Sequence, residues 1–293
     1  MRPPAESIGN LAVIVGAIAL LIFVAVEGAL VYVVWRYRAS RTTTPALFEG
    51  HTRLEIAWTA IPALTLVVVF ALMLGTLGEI GAALEPGMRV RAVGHQWWWE
   101  FTYGDVVTAN EMHIPVGTAV EVDLLSADVN HSFWVPELGG KIDMIPGQTN
   151  HVRLLARRAG VYEGQCAEFC GVEHAWMRIR VVAEPADEFA RWLAAQAAPA
   201  AAAATDGERV FMANTCVSCH AIRGTPATGR AGPDLTHVGA RATIGAGVLP
   251  QGVADLREWL ADPQRYKPGS LMPRVPLSGA DLDAVAAYLA ALR

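Results

Sequence analysis

Charge is scarce in this chain. Charged residues make up 17% of it, against about 25% in an ordinary soluble domain, and the formal balance is acidic, at −5. No Lys/Arg cluster with interleaved aromatics occurs, which excludes a nucleic-acid binder. Cysteine is scarce too: four in 293 residues are too few for a disulfide-stapled scaffold. Few charges and 53% hydrophobic residues exclude a disordered chain. The length admits two or three domains.

The apolar excess collects in two segments. Residues 10–35 carry Glu27 as their one charge, and residues 56–77 carry none, in a run that extends to about residue 80. Each is long enough to cross a hydrocarbon core of about 30 Å, whereas a buried core helix of this length normally keeps a polar face. The connection between them holds Arg36, Arg38, Arg41 and Arg53 against Glu49, while the outer flanks hold Arg2 and Glu6, and Glu79 and Glu85. The positive-inside rule puts that connection in the cytoplasm and everything after residue 84 outside. Residues 1–9 are too short for a charged n-region plus a cleavage site, so the first span could act as an uncleaved signal. An ionisable residue within a span is a functional candidate by default; for Glu27, pairing in a helix bundle and a transport role both stay open. Glu55 stands at the cytoplasmic end of the second span, within reach of water.

Residues 88–182 change texture. Short alternating runs (MRVRAV, TAVEVDLL, TNHVRLL, WMRIRVV) are separated by turn signals such as IPVG, ELGG and MIPG, which predicts an antiparallel sandwich or barrel. Residues 186–197 read as a short amphipathic helix, followed by the linker-like AAPAAAAATDG. The rest is mostly helical, with a cap at Thr205 or Asp206 and a capping-box-like Ser278/Asp281 start to the last helix. The expected domains are a helical hairpin at 1–85, an all-β domain at 86–185, helix and linker at 186–204, and an all-α domain at 205–293.

In the last domain, Cys216-Val-Ser-Cys219-His220 is a C-x-x-C-H sequence, the attachment pattern for a c-type haem. Two thiols one helical turn apart reach two vinyl groups of one porphyrin, and the adjacent His falls under the iron. A redox pair would sit near a βαβ pattern, and a zinc site would need further ligands; neither is present. The second axial ligand should come from a distant loop. Met272, in Ser270-Leu-Met-Pro273, fits, with Met212 and His237 as competitors, and a His/Met pair favours electron transfer. The carbonyl of Pro233 is placed to orient the His220 ring. This segment resembles a class I cytochrome c.

In the middle domain, Cys166, Cys170, His174 and Met177 lie within twelve residues. Two thiols, an imidazole and a thioether are soft ligands that select copper or iron–sulfur. Two Cys four apart allow bridging thiolates between two metals, each then needing an imidazole; His174 supplies one and His131 is the best source of the other. A disulfide and a mononuclear zinc site remain the alternatives at this point, although neither uses Met177.

The runs Gly94–Phe101, Asp128–Trp134, Val135–Gly147 and Gln165–Met177 follow a two-helix hairpin in that order. Together they resemble subunit II of cytochrome c oxidase, in the bacterial form fused to its own cytochrome c. The resemblance implies a cupredoxin-type β-barrel. In it, Cys166 and Cys170 bridge the two coppers of copper A, with His131 and His174 as terminal ligands, Met177 as a weak ligand and the Glu168 carbonyl on one copper. The Glu168 carboxylate would face a magnesium ion shared with subunit I. Trp97 matches the electron-entry aromatic, and Glu55 the carboxylate at a proton-channel mouth. Asp128, Lys141 and Asp143 match polar positions near the catalytic subunit. Trp98 stands where the family usually has Tyr, and Gln148 where many members have Arg. His113 and His151 read as ordinary surface or strand residues; His95, beside Trp97, stays open.

The implied function is the electron-entry subunit of a proton-pumping haem-copper oxidase of the bacterial inner membrane. Electrons would pass from a donor (cytochrome c or a quinol–cytochrome c reductase) through haem c (Cys216, Cys219, His220, Met272) to copper A and on to subunit I. The partners would be subunit I, further membrane subunits and the lipid bilayer. Both spans lack His, so oxygen chemistry belongs to a partner. The alternative is a membrane-tethered carrier for another reductase, such as one acting on nitric oxide.

Overall fold

The computed structural model describes residues 4–38, 50–81, 86–200 and 205–293. Arg2, Arg41, Glu49, Glu85 and the 201–204 portion of the Ala-rich stretch lie outside the described residues. The chain forms two compact units, 1–83 and 84–293.

The first unit pairs α1 (Pro4–Arg36) with α2 (Thr52–Gly81), two helices long and apolar enough to cross a membrane. Their apolar side chains face outward, with Leu21 and Val34 each 72% exposed. The Ser7 hydroxyl donates to the Glu79 carboxylate at 2.9 Å, joining the start of α1 to the end of α2, so the hairpin is antiparallel. Glu27 is exposed along α1, and Glu55 lies in the first turn of α2.

The second unit begins with ten strands: β1 (Met88–His95), β2 (Trp98–Tyr103), β3 (Val106–Ala109), β4 (Glu111–Pro115), β5 (Val120–Ser126), β6 (His131–Trp134), β7 (Ile142–Met144), β8 (Asn150–Leu154), β9 (Gly160–Cys166) and β10 (Arg178–Glu184). They form two five-stranded sheets, ordered β3-β2-β1-β5-β8 and β4-β10-β9-β6-β7. Alternation sets the faces: along β2, Trp99, Phe101 and Tyr103 turn inward while Trp98, Glu100 and Thr102 stay half-exposed. The core between the sheets holds Trp99, Phe101, Phe133, Met112, Ile114 and Leu124, all fully buried.

The barrel is not purely antiparallel. β1 runs parallel to β5, and β10 parallel to β4. The chain leaves the first sheet after β3 and returns to it only at β5, and a parallel pair needs that kind of crossover. α3 (Ala186–Ala197) closes one side through Phe189 and Trp192. Trp192 stacks on His113 at 4.0 Å, so His113 is a packed strand residue, its imidazole pushed down to about 4 by burial and then by Arg180. His151 is exposed and pairs with Asp123 at 2.8 Å.

The chain continues with α4 (Asp206–Ala213), α5 (Cys216–Cys219), a ladder of β11 (Thr243–Ile244) and β12 (Leu249–Pro250), then α6 (Val253–Ala261), α7 (Pro263–Tyr266) and α8 (Gly279–Ala291). The Thr205 side chain caps α4 and that of Ser278 caps α8. Phe211 packs on Tyr288 across α4 and α8, and a second core gathers around Ile222, Leu256 and Val285.

Trp99 touches both His131 and Phe133 edge-on, at 6.0 and 5.9 Å. Trp99→Ala is expected to destabilise the barrel by about 3–5 kcal/mol. Denaturant unfolding checks this, and a loss below about 1 kcal/mol would remove Trp99 from the core's main supports.

Candidate metal and haem sites

The middle cluster is assembled from three places. β9 ends at Cys166, the loop and turn that follow carry Cys170, His174 and Met177, and β6 opens with His131. Backbone bonds fix this loop: Cys166 N donates to Met177 O at 3.0 Å, Ala167 N to Ser132 O at 3.0 Å and His174 N to Gly171 O at 3.1 Å.

The two sulfurs stand 3.7 Å apart, far beyond a disulfide bond of about 2.05 Å. Cys166 Sγ lies 3.9 Å from His131 Nδ1 and 3.2 Å from Glu168 O; Cys170 Sγ lies 3.6 Å from His174 Nδ1 and 3.8 Å from Met177 Sδ. The ligand atoms of His131, Cys166 and Cys170 all fall within 4.8 Å of one another. The structure thus brings together every donor named from the sequence, in one series of contacts that runs from His131 and Glu168 O through Cys166 and Cys170 to His174 and Met177.

Electrostatics favours a cation there. The Cys170 thiol and the His131 ring favour ionised Cys166, against its burial, and lower its pKa, whereas Cys170, beside that charge, is pushed strongly up. Both sulfurs become thiolates together only with positive charge between them.

Asp128 orients the outer imidazole. Its Oδ1 lies 2.7 Å from His131 Nε2. A carboxylate accepts, so Nε2 carries the hydrogen and Nδ1 offers its lone pair toward Cys166. Burial alone would raise the Asp128 carboxyl, but bonds from His131, Val129 N and Gln96 N hold it below the usual range. His95 stacks on Trp98 at 4.1 Å, and none of the donor contacts in this cluster involves it. Lys141, Asp143 and Glu168 are exposed.

The second site is a cavity of about 360 Å³ lined by Cys216, Cys219, His220 and Met272, with Leu256 and Trp259 behind them. His220 Nδ1 lies 2.8 Å from Pro233 O. A carbonyl only accepts, so Nδ1 bears the hydrogen and Nε2 is free for iron. Burial holds this ring below the usual histidine range, which keeps it neutral. Gly232 is required beside it, because a Cβ there would come within 2.7 Å of His220 Cε1. The Trp259 indole donates to Met272 Sδ at 3.2 Å, orienting the thioether. Met212 packs in the helical core and His237 holds Ala198 O at 3.1 Å; neither lines the cavity. The paired thiols, the neutral ring and the thioether fit a covalent haem.

Gln96, Trp97 and Trp98, from the β1–β2 turn and the start of β2, line this same cavity. The Trp97 indole donates to Cys170 O at 2.8 Å, and the Gln96 amide donates to it at 2.7 Å. One aromatic thus touches both sites. Sequence reading missed Trp259 and the tie between Asp128 and His131; only the i,i+3 spacing of that pair was available as a signal.

Three family models match the chain: the cytochrome c oxidase subunit II transmembrane domain over residues 2–74, its periplasmic domain over 106–184, and cytochrome c over 204–293. The chain is 39% identical over 272 residues to cytochrome c oxidase subunit 2 of Alkalihalophilus pseudofirmus, covering 88% of this chain and 79% of that protein. It is 34% identical over 291 residues to the Bacillus subtilis protein of the same name, covering 89% and 82%. Among solved structures, the periplasmic domain of subunit II of cytochrome oxidase from Bradyrhizobium japonicum matches at 33% identity. That match spans 38% of this chain and 94% of the other, with a TM-score of 0.37.

Asp128→Ala is expected to weaken copper binding about 10–100-fold while the haem spectrum stays unchanged. Copper titration of the metal-depleted protein measures it, and wild-type affinity would show that the His131 ring needs no outer partner.

Proposed function

The chain belongs to the cytochrome c oxidase subunit II family, and from that membership we propose that it is the electron-entry subunit of a haem-copper terminal oxidase. When bound, a covalent haem c and copper A would supply one-electron exchange between an upstream donor and subunit I, where oxygen would be reduced to water.

The observation that carries this reading is Trp97. It lines the Cys216/His220/Met272 cavity and donates to the carbonyl of Cys170. In this role Cys216 and Cys219 anchor the porphyrin, while His220 and Met272 take the iron. His131, Cys166, Cys170, His174, Met177 and the Glu168 carbonyl hold the coppers. The Glu168 side chain is exposed, as a carboxylate sharing magnesium with subunit I would have to be. Glu55, in the first turn of α2, serves as a proton-channel carboxylate.

The domain plan follows: hairpin at 1–85, copper domain at 86–185, helix and linker at 186–204, cytochrome c domain at 205–293. The spans lie in the lipid of a bacterial inner membrane with both electron-transfer domains on its outer side. The partners are subunit I, other oxidase subunits and an upstream donor, cytochrome c or a quinol–cytochrome c reductase.

The complex purified with this chain is expected to take up oxygen from reduced cytochrome c in a cyanide-sensitive way. A complex that holds both centres but reduces nitric oxide and not oxygen overturns the oxidase reading. Cys170→Ser is expected to abolish the bridged-copper signal and leave the haem spectrum intact; a surviving copper signal removes Cys170 from the ligand set. Glu55→Gln is expected to slow steady-state oxygen uptake without changing the copper signal, and a normal rate returns Glu55 to the solvated end of a helix.

A further inference from the structure

Two buried ionisable groups lie where the barrel meets the helical part: Lys267, which also lines the cavity of the second site, and Glu111. Lys267, between α7 and Met272, is 3% exposed, and a lysine is almost never so buried without partners. Its Nζ donates to Trp97 O at 2.6 Å, Trp176 O at 2.9 Å and Gly245 O at 3.0 Å. A protonated amine has three donors, and these three carbonyls satisfy all of them. Two of the carbonyls belong to the barrel: one in the Trp97 turn, the other beside Met177.

Glu111, at the start of β4, is the reverse case. It is 5% exposed, and its Oε1 accepts from Ala242 N at 2.7 Å and Thr243 N at 3.2 Å, both on the helical side. Each part therefore sends a buried charge into the other's backbone. The backbones also approach directly: Arg178 N donates to Ala246 O at 3.2 Å. Gly269, at φ +83, comes so close that a Cβ there would stand 3.1 Å from Val172 Cγ2. The end of α3 is held as well, with Arg223 donating to the carbonyls of Gln196 and Ala197.

We propose that Lys267 and Glu111 are positioning residues that lock the cytochrome c segment onto the copper-site barrel as one rigid body, so that electrons pass between the two centres in a fixed docked geometry and not by a domain swinging on its tether. The lock itself rests on contacts within the chain; its role in electron transfer rests on the function proposed above.

The test uses the full chain in its complex. After flash reduction of the haem, electron transfer to copper is timed with and without glycerol, and with about ten Gly/Ser residues inserted after Ala203. A locked unit gives a rate unchanged by viscosity and by the insertion. A rate that falls with either one overturns the proposal.

In the extended-linker protein, Lys267→Met and Glu111→Ala are each expected to slow transfer about tenfold or more and to make it viscosity-dependent. Glu111→Gln, which keeps the accepting oxygen, restores it. The haem and copper spectra of each variant check that both centres are intact. Variants that keep the wild-type, viscosity-independent rate overturn the proposal.

Hydrogen exchange on the wild-type chain gives an answer even where a variant fails to fold. The amides of Ala242 and Thr243 are expected to be protected, and exchange at exposed-loop rates overturns the lock. A wild-type chain with those amides protected but lacking either spectrum would instead overturn the proposed function and leave the lock standing.

Discussion

Two sulfur atoms held 3.7 Å apart in a buried pocket cannot both carry negative charge unaided. Ionising one thiol pushes the other toward its neutral form, and a cation between them offsets that repulsion. Much of the barrel is arranged around that constraint. β6 and β9 run side by side, so His131 stands near Cys166. The turn before β10 folds His174 and Met177 back over Cys170. The carbonyl of Cys170 accepts from two side chains of the β1–β2 turn, which places Trp97 between the thiol pair and the second cavity.

The same economy governs both imidazoles whose outer nitrogen is held. Each bonds one acceptor, Asp128 for His131 and Pro233 O for His220, so that the other nitrogen is left for a metal. A carboxylate suits the first, where the neighbouring sulfur carries charge. A neutral carbonyl suits the second, where burial already keeps the ring uncharged.

The parts legible in the sequence were those whose partners are themselves side chains at short spacing. Cys166, Cys170, His174 and Met177 announce themselves within one loop, and Cys216, Cys219 and His220 within one turn. The alternating runs became β1, β5, β8 and β10, but alternation has period two whichever way the neighbour runs, so the parallel pairs were hidden. Lys267, Glu111 and Arg223 were hidden more deeply, because they bind backbone carbonyls or amides. Every residue offers those groups, so no partner residue type marks the contact. For the same reason AAPAAAAATDG, which has no bulky anchor, read as a loose linker although its first residues are held through their carbonyls.

Covalent fusion explains how so spare a contact can hold two domains. Separate proteins give up translational and rotational freedom on association, and their interfaces need enough hot-spot contacts to offset it. A tether raises the effective concentration to about the millimolar range, so weaker contacts suffice. Two buried groups bonded to the other part's backbone then contribute specificity more than adhesion: a shift of the domains takes the Trp97 and Trp176 carbonyls from Lys267, leaving it Gly245 O, and takes the Ala242 and Thr243 amides from Glu111, leaving it Arg180. The fused arrangement therefore has a steep energy well around a single geometry, and Trp97 lies at the centre of it.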